Sequence, residues 1–188
     1  MNIEQVRDAL PDYARDLKLN LGSVLTAQGA PGLNEKQIWS IALASAIASR
    51  NTAFAHGVEA QARAHLAPVE VEGAKAAAAI MAMNNIYYRF LHLVEDGEYQ
   101  SMPARLRMNV IANHGIDKLD FELISLAVSA VNGCGLCVTS HEKKLRAHDV
   151  SREAIQSAVR IAATIHAVAV TLEFEGGAQA PAGAELAA

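Results

Sequence analysis

Apolar residues recur along this chain at intervals of three and four, which predicts helices throughout. No convincing run of alternating strand residues is present. Leu17, Leu21, Val24 and Leu25 share one helical spacing, and Ile38, Trp39, Ile41 and Ala42 with Ser45 and Ala46 share another. Ile155, Val159, Ala162, Ile165 and Leu172 share a third. Polar residues mark the ends. Asn2 can cap a first short helix that Pro11 ends or re-enters, and Asn34 with Gln37 three residues on has the form of a capping box. Asp120 is placed to cap the helix carrying Glu122, and Ser151 the last one. A loop is expected at residues 29–32 and a helix over about residues 54–66, ahead of Pro68. An alanine-rich helical region follows over residues 69–94, its small side chains allowing close helix approach. Asn84-Asn85 is expected to disturb that region and Glu95-Asp96-Gly97 to close it, while residues 103–115 read as irregular or a short turn of helix. The fold class is all-α.

The pattern also repeats. At an offset of 85 residues, 37–43 falls on 122–128, and Ala77-Ala78 and Ile80 fall on Ala162-Ala163 and Ile165. In that register Ser49, Thr52 and His56 fall on Cys134, Cys137 and His141. The alternative is chance agreement of common small residues in two alanine-rich helices. Taken as real, the repeat gives a single all-helical domain over residues 1–175. A degenerate half at about 34–97 supplies scaffold, and a half at about 119–175 carries the chemistry. Residues 176–188, rich in Gly, Ala and Pro, are expected to be a disordered tail.

Composition narrows the class. With 188 residues, 52% of them apolar, the chain can bury one sizeable core. A net charge of −4 and a pI near 6.0 give no broad electrostatic reason to expect nucleic acid or an anionic membrane as partner. The stretch 123–140 is long and weakly charged, but Ser125, Ser129, Asn132, Gly133 and Gly135 dilute it, so it reads as buried helix. The amino-terminal residues lack the basic and apolar regions of a secretory signal, which points to the cytoplasm. Cysteines in a reducing compartment are seldom structural cross-links.

Both cysteines lie in Asn132-Gly133-Cys134-Gly135-Leu136-Cys137-Val138-Thr139-Ser140-His141. Asn-Gly signals a turn, so a new helix should begin near Cys134, with exposed N–H groups and a positive dipole end that favour a thiolate. Cys137 follows three residues on and His141 a further four, placing all three on one helix face. A free thiol of pKa about 8.5 is only roughly 3% ionised at neutral pH, and an imidazole held by a carboxylate is a means of lowering it. Two other readings stay open. Cys134, Cys137, His141 and Glu122 are four possible zinc ligands, although three on one short helix suit a tetrahedral site poorly and no second Cys-x-x-Cys exists. The cysteines can also be inert core residues.

Phe121-Glu122-Leu123, Ala130-Val131-Asn132-Gly133-Cys134, Cys137, and His141-Glu142 through Leu145-Arg146 resemble the active-site signature of the AhpD alkylhydroperoxidases of the carboxymuconolactone decarboxylase-like superfamily. Ala9-Leu10-Pro11, Asp16 through Leu21, Ala79 through Asn85 and Leu106 through Asn113 extend the resemblance to roughly residues 1–173. It implies an all-helical subunit, usually a homotrimer, that reduces organic hydroperoxides. Electrons would come from dihydrolipoamide on a lipoylated acyltransferase, with no tightly bound cofactor or metal. It implies Cys137 as the peroxidatic thiol that becomes a sulfenic acid and Cys134 as the resolving thiol and proton donor. Glu122 would act through His141 and a water. The other function class is an electron-carrying adaptor that regenerates a peroxiredoxin of the AhpC type. A decarboxylase, the further activity of the superfamily, needs no cysteine pair. Where members can carry a second histidine just before the second cysteine, this chain has Leu136.

Among the remaining residues, His56, His65, His92, His114, His148 and His166 read as surface or satisfied core residues, and Met81, Met83 and Met108 as core filler. Lys143, Lys144 and Arg146 read as a solvated face, able to dock an acidic partner domain.

Overall fold

The computed structural model describes residues 2–178, which form nine α-helices and two single 3-10 turns, at Asp12–Ala14 and Asn109–Ile111; strands are absent among them. The helices are α1 (Ile3–Ala9), α2 (Arg15–Val24), α3 (Glu35–Ala48), α4 (Thr52–Ala62), α5 (Pro68–Val94), α6 (Gly97–Ser101), α7 (Lys118–Val131), α8 (Gly135–Ala147) and α9 (Arg152–Ala178). The all-α class read from the periodicity holds.

Local chemistry sets most of the boundaries. Asn2 and Asn34 each accept a hydrogen bond from the N–H three residues on, and the cap N–H in turn donates to the side chain of Gln5 or Gln37, making two complete capping boxes. Ser151 Oγ accepts from Ala154 N at the start of α9. The helix expected over about residues 54–66 spans Thr52–Ala62 instead, and Pro68 does not end it but occupies the first position of α5, where its missing N–H costs nothing. The cap of α7 differs from the expectation. Asp117, not Asp120, accepts from the N–H groups of Leu119 and Asp120, and Asp120 instead accepts from Gln37 Nε2 at 2.7 Å, tying α7 to α3.

Helices α3 and α7 are the interior of the molecule. Ile38 through Ala46 and Phe121 through Ser129 are each buried without interruption, so neither helix has a solvent face over that length. Helices α5 and α9 flank them, and Ala74, Ala77 and Ala78 on α5 with Ala158, Ala162 and Ala169 on α9 let the backbones come close. Close approach also explains Gly73, where an added Cβ would lie 2.7 Å from Ile116 Cγ2. Helix α9 is long and apolar enough to cross a membrane by composition alone. Its Ile161, Ile165 and Val168 are nonetheless fully buried against the core. The apolar stretch 123–140 is not one helix: it breaks at Asn132–Cys134 into α7 and α8. Helix α9 continues through Ala178, past the point where a disordered tail was expected. Residues 179–188 lie outside the described ones.

Asn84 and Asn85 do not disturb α5, which runs unbroken through them. Asn85 Nδ2 donates to Ser129 Oγ at 2.9 Å and its Oδ1 accepts from Asn132 Nδ2 at 2.9 Å. Asn85 is thus matched by partners on α7 and at its C-terminal turn. Asn85→Ala leaves Ser129 Oγ and Asn132 Nδ2 without that partner, and a loss of about 1–3 kcal/mol is expected from urea unfolding. An unchanged midpoint would show that the network adds nothing to stability.

The two halves repeat the element order. Helices of 14, 11 and 27 residues in α3–α5 are followed by helices of 14, 13 and 27 in α7–α9. The structural register is not the 85-residue offset read from side-chain identity. Caps and turns match at 83 residues: Asn34 with Asp117, Arg50 with Gly133, and Asn51 with Cys134. Arg50 and Gly133 are both left-handed, at φ 65° and 68°. Phe54 N donates to Asn51 Oδ1 where Cys137 N donates to Cys134 Sγ. The counterparts of Cys134, Cys137, His141 and Glu122 are therefore Asn51, Phe54, Val58 and Trp39. Ser49, Thr52 and His56 do not occupy those places.

Candidate active site

The turn that follows α7 builds the site. Gly133 supplies the left-handed residue without a Cβ penalty, and Cys134 is the N-cap of α8. Cys137 N donates to Cys134 Sγ at 3.4 Å, so the cysteine takes the place of the usual Ser or Asn cap. Cys134 and Cys137 are joined as a disulfide, with Cα atoms 5.3 Å apart. The two sulfurs differ in access: Cys134 is wholly enclosed, whereas Cys137 keeps 6% of its surface and opens on a cavity. Both lie at the start of α8, as the sequence indicated.

That cavity holds about 410 Å³. Met81, Tyr88, Met108, Ile111, Phe121 and Leu136 form its apolar wall. Asn84, Glu122, Cys137, Ser140 and His141 form its polar end. Met81 and Met108, read as core filler, line this wall, and Leu136 is 39% exposed at its rim. Asn84 is buried, with no hydrogen-bond partner for Oδ1.

Glu122 and His141 meet as the sequence led one to expect. Glu122 projects from the first turns of α7 and is buried. Its Oε2 lies 2.7 Å from His141 Nδ1, one helix away and 19 residues on. Burial pushes the Glu122 carboxyl up, but hydrogen bonds from His141 and Lys144, with their charges, outweigh it and hold it below the ordinary glutamic acid value. In the neutral imidazole an ionised Glu122 places the shared proton on His141 Nδ1 and leaves Nε2 as an acceptor.

Lys144 was missed as part of this group. It is no free surface cation: its Nζ is 2.5 Å from Glu122 Oε1. The signal was available, since Lys144 stands three residues after His141 and seven after Cys137, on their helix face. Among the histidines read as bystanders, His114 stacks on Phe121 at 4.1 Å beside the site, and burial lowers its proton affinity. His65 stacks on Trp39 at 4.5 Å.

A dithiol at a helix start, an imidazole on the same helix and a buried carboxylate behind it, all on a two-fold repeated helical frame, define a class of thiol oxidoreductase. Residues 97–179 match the model of the carboxymuconolactone decarboxylase family. Over most of its length the chain is similar to proteins named alkyl hydroperoxide reductase AhpD. That of Frankia alni is 56% identical over 173 residues, covering 92% of each chain. That of Streptomyces coelicolor is 53% identical over 175 residues, covering 93% of this chain and 97% of the relative. The Gluconacetobacter diazotrophicus protein is 56% identical over 173 residues, covering 92% and 93%. The chain belongs to the AhpD family of alkyl hydroperoxide reductases.

Proposed function

We propose that this protein is a peroxidase that reduces small organic hydroperoxides through the Cys134–Cys137 pair. The observation that carries the reading is the position of Cys137: it is the sulfur that opens on the apolar cavity, on the helix face of His141, with Cys134 enclosed behind it. In the reduced enzyme the Cys137 thiolate attacks the distal peroxide oxygen. The O–O bond breaks, the alkoxide takes a proton and leaves as alcohol, and Cys137 becomes a sulfenic acid. Cys134 then attacks that sulfur, hydroxide leaves with a proton as water, and the disulfide forms. His141, oriented by Glu122 at Nδ1, is the base that takes the Cys137 proton at Nε2. Two electrons and two protons return from a dithiol, for which the family resemblance supports dihydrolipoamide carried on an acyltransferase. The same cycle can serve a peroxiredoxin of the AhpC type. Cycling of this kind suits the cytoplasm, where thiols are kept reduced.

Self-association is supported by an apolar stripe. Ile86, Phe90 and Leu93 lie at helical spacing on α5 and are 58%, 44% and 71% exposed. Val170 and Phe174 on α9 are 53% and 72% exposed. By the resemblance the assembly is a homotrimer.

Treating the reduced protein with one equivalent of an organic hydroperoxide tests the reading. The expected result is a mass loss of about two hydrogens, one alcohol released, and full recovery of both thiols with dihydrolipoamide. A protein whose thiols survive the peroxide unchanged is not a peroxidase.

A further inference from the structure

Glu122 is held at both oxygens, and the two donors come from the same face of α8. His141 Nδ1 is 2.7 Å from Oε2 and Lys144 Nζ 2.5 Å from Oε1. We propose that Lys144 is a positioning residue for the peroxidase reaction, fixing the Glu122 carboxylate so that Oε2 faces His141 and discouraging proton uptake by the Glu122–His141–Cys137 cluster. The inference rests on His141 being the base for Cys137.

Two fixed points define the plane of a carboxylate. With Oε1 released, rotation about the last torsion of Glu122 is soft, and either oxygen or neither can face His141. The charge acts in the same direction. The ionisable groups around Glu122 are His141 and Lys144 from α8, His114 from the segment ahead of α7, and Tyr88 of α5, which lines the same cavity. From α3 and α9, which also pack on α7, none reaches Glu122 by hydrogen bond or ion pair among the described residues. Lys144 is therefore the one fixed positive charge in contact with the cluster among those residues. Removing it raises the pH at which the cluster gives up its next proton, whichever member carries it. The side chain of Lys144 is 53% exposed, so the effect is moderate and screened by salt.

The proposal is tested by the rate at which iodoacetamide alkylates Cys137 in the fully reduced protein, followed by peptide mapping from about pH 5 to about pH 9, where His and Cys titrate. In Lys144→Met the ascending limb is expected to move up by roughly half to one pH unit, and the gap from wild type to narrow in about 1 M salt. Lys144→Gln, which keeps a hydrogen bond without the charge, should move the same way. Lys144→Arg should restore the wild-type limb, so these two variants decide the matter if the Met protein fails to fold. In hydroperoxide turnover at neutral pH, Lys144→Met should lower kcat and leave KM unchanged. A Met profile that overlays wild type, or an Arg profile displaced as far as Met, overturns the proposal, and a Gln profile that overlays wild type overturns the part assigned to the charge. Alkylation needs no peroxide. A wild-type protein that alkylates normally but resists hydroperoxide refutes the peroxidase reading, and the placing of Lys144 is still decided by the limb.

Discussion

Cys137→Ser is expected to abolish hydroperoxide turnover, by about 1,000-fold or more, whereas Cys134→Ser should consume one equivalent and stop as a sulfenic acid on Cys137. Helix-dipole arguments alone favour Cys134, which is nearest the start of α8 and whose sulfur accepts the Cys137 N–H. Access decides against it. Cys134 has no exposed surface, so a hydroperoxide cannot reach its sulfur without the helix start opening. Cys137 faces the cavity and stands four residues before His141. The capping bond suits Cys134 to the second step, because an N–H aimed at its sulfur stabilises the thiolate that must attack the sulfenic acid. Treatment of each variant with one equivalent of hydroperoxide, then with a sulfenic-acid reagent and peptide mapping, separates the two sulfurs. Label on Cys134 in Cys137→Ser at the wild-type rate, with none on Cys137 in Cys134→Ser, would reverse the order.

What the sequence made legible was local. The cap at Asn2, the capping box at Asn34, the Ser151 cap and the turn before Cys134 each depend on residues a few positions apart, and each forms where the pattern places it. What it hid depends on partners far along the chain. Asp120 was the expected cap of α7, but Asp117 takes that place, and Asp120 accepts instead from Gln37, 83 residues away on another helix. Asn84-Asn85 looked like an interruption because Ser129 and Asn132, which complete the hydrogen bonds of Asn85, are more than 40 residues distant. The register of the two halves was obscured for a different reason. Arg50 adopts a backbone conformation that an L side chain rarely takes, so its correspondence with Gly133 is invisible in residue type and visible only in φ. Lys144 lay in a charged run that ordinarily means a solvated face. Only Glu122, brought in from α7, turns it inward.

Glu122→Gln is the other change expected to have a large effect, about 100-fold in kcat/KM at neutral pH. The substitution keeps the volume of the side chain and replaces one acceptor with a donor. An amide N–H facing His141 forces Nδ1 to accept, which moves the ring proton to Nε2, the nitrogen that has to be free to take the Cys137 proton. If the amide is turned the other way, its N–H faces the Lys144 ammonium, which has no acceptor to offer, so one orientation costs the tautomer and the other the ammonium contact. The sign of the stability change follows from the direction of the Glu122 shift. Its carboxyl lies below the ordinary value of 4.5 in the folded protein, so its contribution is fully present above that value and is lost as the pH falls through the lower folded one. Wild type should therefore lose part of its stability on acidification below about pH 4.5, and Glu122→Gln, already less stable at neutral pH, should lose correspondingly less over that window. Urea unfolding of both proteins at neutral and acid pH, alongside peroxide kinetics, measures the two effects together. Wild-type kinetics in Glu122→Gln, or an acid dependence of stability identical in the two proteins, would remove Glu122 from the site and leave His141 without the group that orients it.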